Sequence, residues 1–168
     1  MPTEVYIYMK PNIIPAYDSL QEIGQMFTEY TDYLVEENPS VKAYLQIQDY
    51  EKELSHLGEK YGPPYGRLYL ACLGDRPAGC IGLRKLDAQT GEMKRLYVRP
   101  EFRGHRIGGQ LIEKVIGDAR DIGYTVLLLD TLPFLQNAIS LYRQYGFYEI
   151  PHYNDSPLDS SIYMRLDL

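Results

Sequence analysis

A chain of 168 residues, 45% apolar and 24% charged, is one domain's worth of sequence with material for a single core. Its net charge of −6 argues against a general binder of nucleic acid or of anionic membranes. No apolar run approaches the ~18 residues of a membrane helix. The start, Met1-Pro2-Thr3-Glu4-Val5, has neither the basic nor the apolar region of a secretion signal, so the expected setting is cytoplasmic.

Residues 5–9 read as a short first strand. Asp18 has the form of an N-cap, with Gln21 completing a capping box, and Leu20, Ile23, Phe27, Tyr30 and Leu34 then recur at helical spacing up to Asn38-Pro39. A second helix is predicted over 48–61, with Tyr50, Leu54, Leu57 and Tyr61 on one side and Gly62-Pro63-Pro64 as its stop. The period then changes. Residues 68–73, 80–86 and 93–98 read as strands separated by Gly74-Asp75-Arg76-Pro77 and by 88–91. Ile107, Leu111, Val115, Ala119 and Ile122 mark a helix that runs to Gly123. Residues 124–130 hold the run Val126-Leu127-Leu128-Leu129, the pattern of a strand buried on both faces. A helix over 135–145 ends at Gly146, a natural residue for that position. Residues 147–153 and 161–168 are the last strands. In the latter, Ile162, Met164, Leu166 and Leu168 alternate with Tyr163, Arg165 and Asp167.

The order β-α-α-β-β-β-α-β-α-β-β is that of an α/β chain with a mixed sheet, hairpins in the middle and a βαβ crossover around 103–123. Cys72 and Cys80 flank the first hairpin turn. A cross-strand disulfide is open, but two half-buried thiols fit the cytoplasmic setting better, and the pair forms no metal-ligand pattern. The 17 tyrosines read mostly as half-buried side chains of sheet and helix surfaces.

The chemistry concentrates in Lys94-Arg95-Leu96-Tyr97-Val98-Arg99-Pro100-Glu101-Phe102-Arg103-Gly104-His105-Arg106-Ile107-Gly108-Gly109, a strand, a short loop and the start of a helix. The first N–H groups of a helix lack intrahelical partners, and the helix dipole adds partial positive charge there. Glycines let an anion approach the backbone, so this arrangement suits a pyrophosphate. Lys94, Arg95, Arg99, Arg103, His105 and Arg106 add local basic character. On charge alone a solvated basic face accounts for them better. The glycines and the strand-to-helix position favour the cradle. Neither the Walker A ending nor the dinucleotide Gly-x-Gly-x-x-Gly pattern is present.

Val98-Arg99-Pro100 followed by Arg103-Gly104-His105-Arg106-Ile107-Gly108 resembles motif A of the GNAT N-acetyltransferase superfamily, Arg/Gln-x-x-Gly-x-Gly/Ala. Asn137-Ala138-x-x-Leu141-Tyr142-x-x-x-Gly146-Phe147 resembles its motif B, and the element order matches over almost the whole chain. The resemblance implies a single domain of α/β class. Its central sheet is mixed and mostly antiparallel, flanked by helices, and its βαβ crossover carries the acetyl-CoA pyrophosphate loop. It implies acetyl-CoA as co-substrate, no metal, and amides of Arg103, Gly104, His105, Arg106, Ile107, Gly108 and Gly109 around the pyrophosphate. One departure stands out: the first motif glycine is Arg106 here. With helical dihedrals its N–H would still serve the cradle. Its side chain then lies at the cofactor rim, against a phosphate such as the 3′-phosphate of CoA, or is simply solvated.

The resemblance further implies direct attack of a substrate amine on the thioester in a ternary complex. Glu92 is the candidate base, directly or through water; the alternative is a surface carboxylate paired with Lys94. The backbone N–H of Val98 is the candidate oxyanion donor, and the strand edge Leu96, Tyr97 and Val98 would pair with the pantetheine arm. Tyr142 is the candidate acid that protonates the departing thiolate, or else a helix tyrosine packed with Leu141 and Tyr145. Asn137 either contacts the pantetheine or is a polar residue of the first helical turn. His56, His105 and His152 form no triad pattern, and no Ser or Cys sits in a nucleophile elbow. The acceptor, a small-molecule or peptide amine, is left open, as is oligomeric state, with a homodimer among the arrangements allowed. A GNAT-fold module that binds acyl-CoA without turnover is the competing reading.

Overall fold

The computed structural model describes residues 9–156 and 158–168. The strand expected over 5–9 lies outside the described residues except for Met9, which belongs to no strand. The elements run β1 Asn12–Pro15, α1 Leu20–Glu37, α2 Val41–Ile47, α3 Tyr50–Ser55, α4 Leu57–Lys60, β2 Arg67–Leu73, β3 Arg76–Lys85, β4 Thr90–Val98, a 3₁₀ turn Pro100–Phe102, α5 Ile107–Ile122, β5 Val126–Thr131, α6 Gln136–Gln144, β6 Tyr148–Ile150 and β7 Ile162–Asp167. Seven strands form one sheet in the order β1-β2-β3-β4-β5-β7-β6. All neighbours are antiparallel except β4 and β5, which the α5 crossover joins in parallel.

Strand alternation sorts the side chains into two cores. Ala71, Leu73, Ile81, Leu83, Met93, Leu127, Leu129 and Met164 pack under the Ile107, Leu111, Ile112, Val115 and Ala119 stripe of α5. On the other face Leu68, Leu70 and Cys80 pack against Ile23, Met26, Phe27 and Leu34 of α1 and against Tyr44, Tyr50, Leu57 and Tyr61. Among the described residues no helix is long and apolar enough to cross a membrane.

Several expectations change. Helix α1 is preceded by Ser19, which makes no side-chain cap, so Asp18 and Gln21 form no capping box. The helix expected over 48–61 is two short helices, α3 and α4, which begin after Asp49, whose φ is +56°, and break at His56; α2 precedes them as a further helix. The break turns Glu53 inward to meet Arg95, a polar partner that an apolar stripe cannot reveal. In β5, Leu127, Leu129 and Thr131 are buried while Val126, Leu128 and Asp130 are only half-buried, so one face of the strand, not both, is sealed. Cys80 is buried and donates to the Arg95 carbonyl, Cys72 is half-buried, and both are free thiols. Their registers, Cys72 to Pro77 and Cys80 to Leu70, do not place them opposite each other.

The feature that positions the site is a bulge. Pairing of β3 with β4 shifts between Cys80 and Gly82, and Arg95 adopts φ +59°. Pairing of β4 with β5 covers only Thr90, Gly91 and Glu92 against Val126, Leu127 and Leu128. Beyond Glu92 the two strands diverge and leave the edge of β4 unpaired on that side.

Candidate active site

A cavity of about 870 Å³ fills the divergence. Its walls include Leu96, Tyr97 and Val98 of β4, residues 103–104 and 106–109 of the loop and α5, and Asn137, Leu141 and Tyr142 of α6. The structure therefore brings together Leu96, Tyr97, Val98, Arg103, Gly104, Arg106, Ile107, Gly108, Gly109, Asn137 and Tyr142. It leaves His105 and Glu92 off that wall.

The loop presents backbone to the cavity. Helix α5 has no side-chain cap, and its first N–H with an intrahelical partner is that of Gln110, which donates to the Arg106 carbonyl at 3.2 Å. The N–H groups of Ile107, Gly108 and Gly109 therefore precede the helical ladder, the position at which a helix can receive an anion. Gly104 sits at φ +90°, a conformation for glycine. A Cβ on Gly109 would stand 2.9 Å from the Tyr145 hydroxyl, so that glycine also lets α6 close on α5. Arg106, expected to be helical, is left-handed with φ +60° and ψ 23°. Arg106 thus adopts a conformation that favours glycine, at a cost of about 1–2 kcal/mol of backbone strain.

The basic cluster divides on folding. Lys94 lies 3.8 Å from Glu92 and 3.6 Å from Asp130, Arg95 is paired with Glu53 at 3.0 Å, and Arg99 holds Glu22 at 2.8 Å and Glu29 at 2.9 Å. Arg103 and Arg106 are exposed and form no ion pair among the described residues. They alone of the clustered arginines are available to an anion at the mouth.

Tyr142 is 7% exposed, its ring 5.8 Å from that of Phe147. Burial pushes its phenol well above the usual range, with Tyr30 and Asp130 adding to the shift. It is a protonated donor at any ordinary pH. Tyr30 and Tyr97 stack at 5.6 Å on the same cavity, each raised to about 12 chiefly by burial.

Glu92, 1% exposed, is an interior carboxylate and not the surface one that its neighbour Lys94 suggested. Arg84 Nε donates to one oxygen at 2.7 Å and the Tyr153 hydroxyl to the other at 2.6 Å. A smaller pocket of about 40 Å³ shares Tyr30 and Leu135 with the main cavity and is lined by Tyr44, Lys94, Arg95 and Asp130. The sequence reading passed over Asp130. Its signal was there: a lone carboxylate at the carboxyl end of an apolar strand, beside the point where the parallel pair opens.

Comparison with known proteins agrees with this geometry. The acetyltransferase (GNAT) family model matches residues 23–147, and the chain belongs to that family. An uncharacterized N-acetyltransferase of Schizosaccharomyces pombe is 37% identical over 126 residues, 74% of this chain and 77% of the relative. The crystal structure of an acetyltransferase from Streptococcus agalactiae matches 96% of this chain and 100% of its own with a TM-score of 0.74 at 22% identity, a likeness of fold. A Bacillus subtilis acetyltransferase in complex with CoA matches 67% of this chain and 82% of its own, with a TM-score of 0.54 at 25% identity.

Proposed function

We propose that this chain is an N-acetyltransferase that moves the acetyl group of acetyl-CoA to a primary amine by direct attack in a ternary complex. The observation that carries the reading is convergence on one cavity. An unpaired strand edge, an uncapped helix N-terminus and a buried phenol all meet there. The pyrophosphate is assigned to the amides before and in the first turn of α5, with Arg103 and Arg106 at the mouth, and the pantetheine to the edge of β4 near Asn137.

The N–H of Arg99 points to β3, donating to the Ala78 carbonyl at 2.8 Å. Strand alternation turns the N–H of Val98 the other way, into the cleft, where it serves the developing oxyanion. Tyr142 gives its proton to the departing thiolate. Glu92 acts at one remove, as a positioning residue that helps to fix Lys94. A bound amine is offered a carbonyl polarised from one side and a leaving group protonated from another, within a walled cleft.

The test is thiol release from acetyl-CoA across a panel of primary amines, with the N-acetyl product identified by mass. Release that depends on the amine supports the reading. Tight CoA binding with no amine-dependent release from any member would replace it with a non-catalytic acyl-CoA-binding module.

A further inference from the structure

Resting on that reading, the structure assigns a place to the acceptor. We propose that Asp130, held by Tyr44, receives the head of the acceptor amine, and that the acceptor is an unhindered primary amine with an uncharged body.

The small pocket borders the cleft: Tyr30 and Leu135 wall both it and the main cavity. Asp130 lines the small pocket and Tyr142 the main cavity. Tyr44 donates a hydrogen bond to one oxygen of Asp130. The other oxygen stands 3.6 Å from Lys94 Nζ, an ion pair too long for a good hydrogen bond. That oxygen already faces one alkylammonium and retains capacity for a second donor.

The other interior and cleft-side carboxylates are committed elsewhere. Glu92 is enclosed by Arg84 and Tyr153, Glu53 by Arg95 and Lys60, Glu22 and Glu29 hold Arg99, and Glu113 accepts from Tyr145.

The lining sets the acceptor class. Leu34, Val41, Leu45 and Leu132 supply apolar wall, while Lys94 and Arg95 repel further positive charge. About 40 Å³ admits the amine head and little more, which disfavours a branched carbon next to the nitrogen. The bound ammonium first loses one proton through water to solvent, and the neutral nitrogen's lone pair then forms the N–C bond as the carbonyl π pair moves to oxygen. Collapse breaks the C–S bond, sulfur keeps the pair and takes the Tyr142 proton, and the ammonium proton passes to Asp130. From Asp130 it returns through water to Tyr142, so atoms and charge balance.

The experiment compares wild type, Asp130→Asn, Asp130→Glu and Tyr44→Phe. Turnover is measured with benzylamine, cumylamine (the same ring on a tertiary carbon) and spermidine, and benzylamine binding to the CoA complex by calorimetry. Wild type is expected to prefer benzylamine by roughly 10-fold or more in kcat/KM. Asp130→Asn should lose about 100-fold in kcat/KM for benzylamine and lose its calorimetric binding, with the KM for acetyl-CoA little changed. Asp130→Glu should recover part of both, and Tyr44→Phe should raise the amine KM by about 3- to 10-fold.

If Asp130→Asn does not fold, Tyr44→Phe decides, and wild-type amine KM in that variant overturns the proposal. Turnover by wild type that neither variant alters overturns the amine site and leaves N-acetyl transfer standing. Asp130-dependent benzylamine binding without turnover does the reverse. Preference for cumylamine or spermidine overturns the acceptor class.

Discussion

The two sides of the cleft are built from different materials. The loop and the first turn of α5 present backbone N–H groups, glycines and two exposed arginines without ion pairs. Across the divergence, behind the small pocket that Lys94, Arg95 and Asp130 line, the interior holds side chains joined in ion pairs. Arg84, Glu92, Lys94 and Asp130 form one chain, and Arg95, Glu53 and Lys60 another. A backbone site suits a ligand whose phosphates never vary. A side-chain site can be rebuilt for each acceptor without disturbing the sheet, and its charges hold one another in place before any substrate arrives.

That contrast predicts where damage is structural and where it is chemical. The largest effect belongs to the buried network. Glu53→Gln leaves Arg95 without its anion in the interior and should cost about 3–5 kcal/mol in urea denaturation. Burial pushes the Glu53 carboxyl up, but Arg95 and Lys60 more than reverse this, to about 2 from 4.5. A group whose folded pKa is depressed stabilises the fold fully above its unfolded pKa. That contribution, about 3 kcal/mol, is lost as pH falls from about 4.5 toward 2. The wild-type denaturation midpoint should drop through this window, and the midpoint of Glu53→Gln should drop less. Parallel pH profiles for the two proteins would show that the network does not set acid stability.

Next comes chemistry on the cavity wall. Tyr142→Phe keeps the ring against Phe147 and removes only the proton, so kcat should fall about 100-fold while the KM for acetyl-CoA stays near its original value. Full turnover in this variant would remove Tyr142 from the mechanism. A smaller effect, of opposite sign, is expected beneath the network. The Tyr61 hydroxyl is buried without a hydrogen-bond partner among the described residues, and its ring lies where a Cβ on Gly82 would come within 2.7 Å. Tyr61→Phe should therefore raise stability by about 1–2 kcal/mol in the same denaturation assay. A loss of stability would mean that the hydroxyl is satisfied in solution.

The same contrast governs what could be read from sequence. The proposed cradle was legible because the role assigned to it rests on main chain, and main chain needs few residue types. Gly104, Gly108 and Gly109 at the start of a helix say nearly all of it, and Asn137 and Tyr142 reached the cavity as the motif placed them. The order and approximate limits of the elements from β2 onward were legible for a similar reason, since period and turn residues are local signals. The acceptor side was not. Asp49 and Arg95 turn left-handed without the glycine that advertises such a turn. The helix expected over 48–61 breaks because Glu53 answers Arg95, 42 positions away in sequence. Glu92 and Lys94 looked like a surface pair because Arg84 and Tyr153, which draw Glu92 inward, are distant along the chain. Burial of a charge depends on partners that no local pattern names.

Arg106 departs from this division, a strained side-chain-bearing residue placed where backbone alone would serve. Two substitutions separate its contributions. Arg106→Gly relieves the left-handed strain at φ +60° and should add about 1 kcal/mol of stability, roughly 2–4 °C in Tm. Arg106→Ala keeps a Cβ and with it the strain, so its Tm should stay near that of the wild type. Both variants lose the guanidinium at the mouth. If it pairs with the 3′-phosphate, the KM for acetyl-CoA should rise about 3- to 10-fold in each, while the KM for acetyl-dephospho-CoA hardly moves. Equal rises with the two co-substrates would sink the 3′-phosphate contact. Equal Tm values for the two variants would sink the strain. A gain in Tm for Arg106→Gly together with a selective loss for acetyl-CoA would mean that this position holds a strained backbone in order to set a positive charge where the main chain cannot supply one.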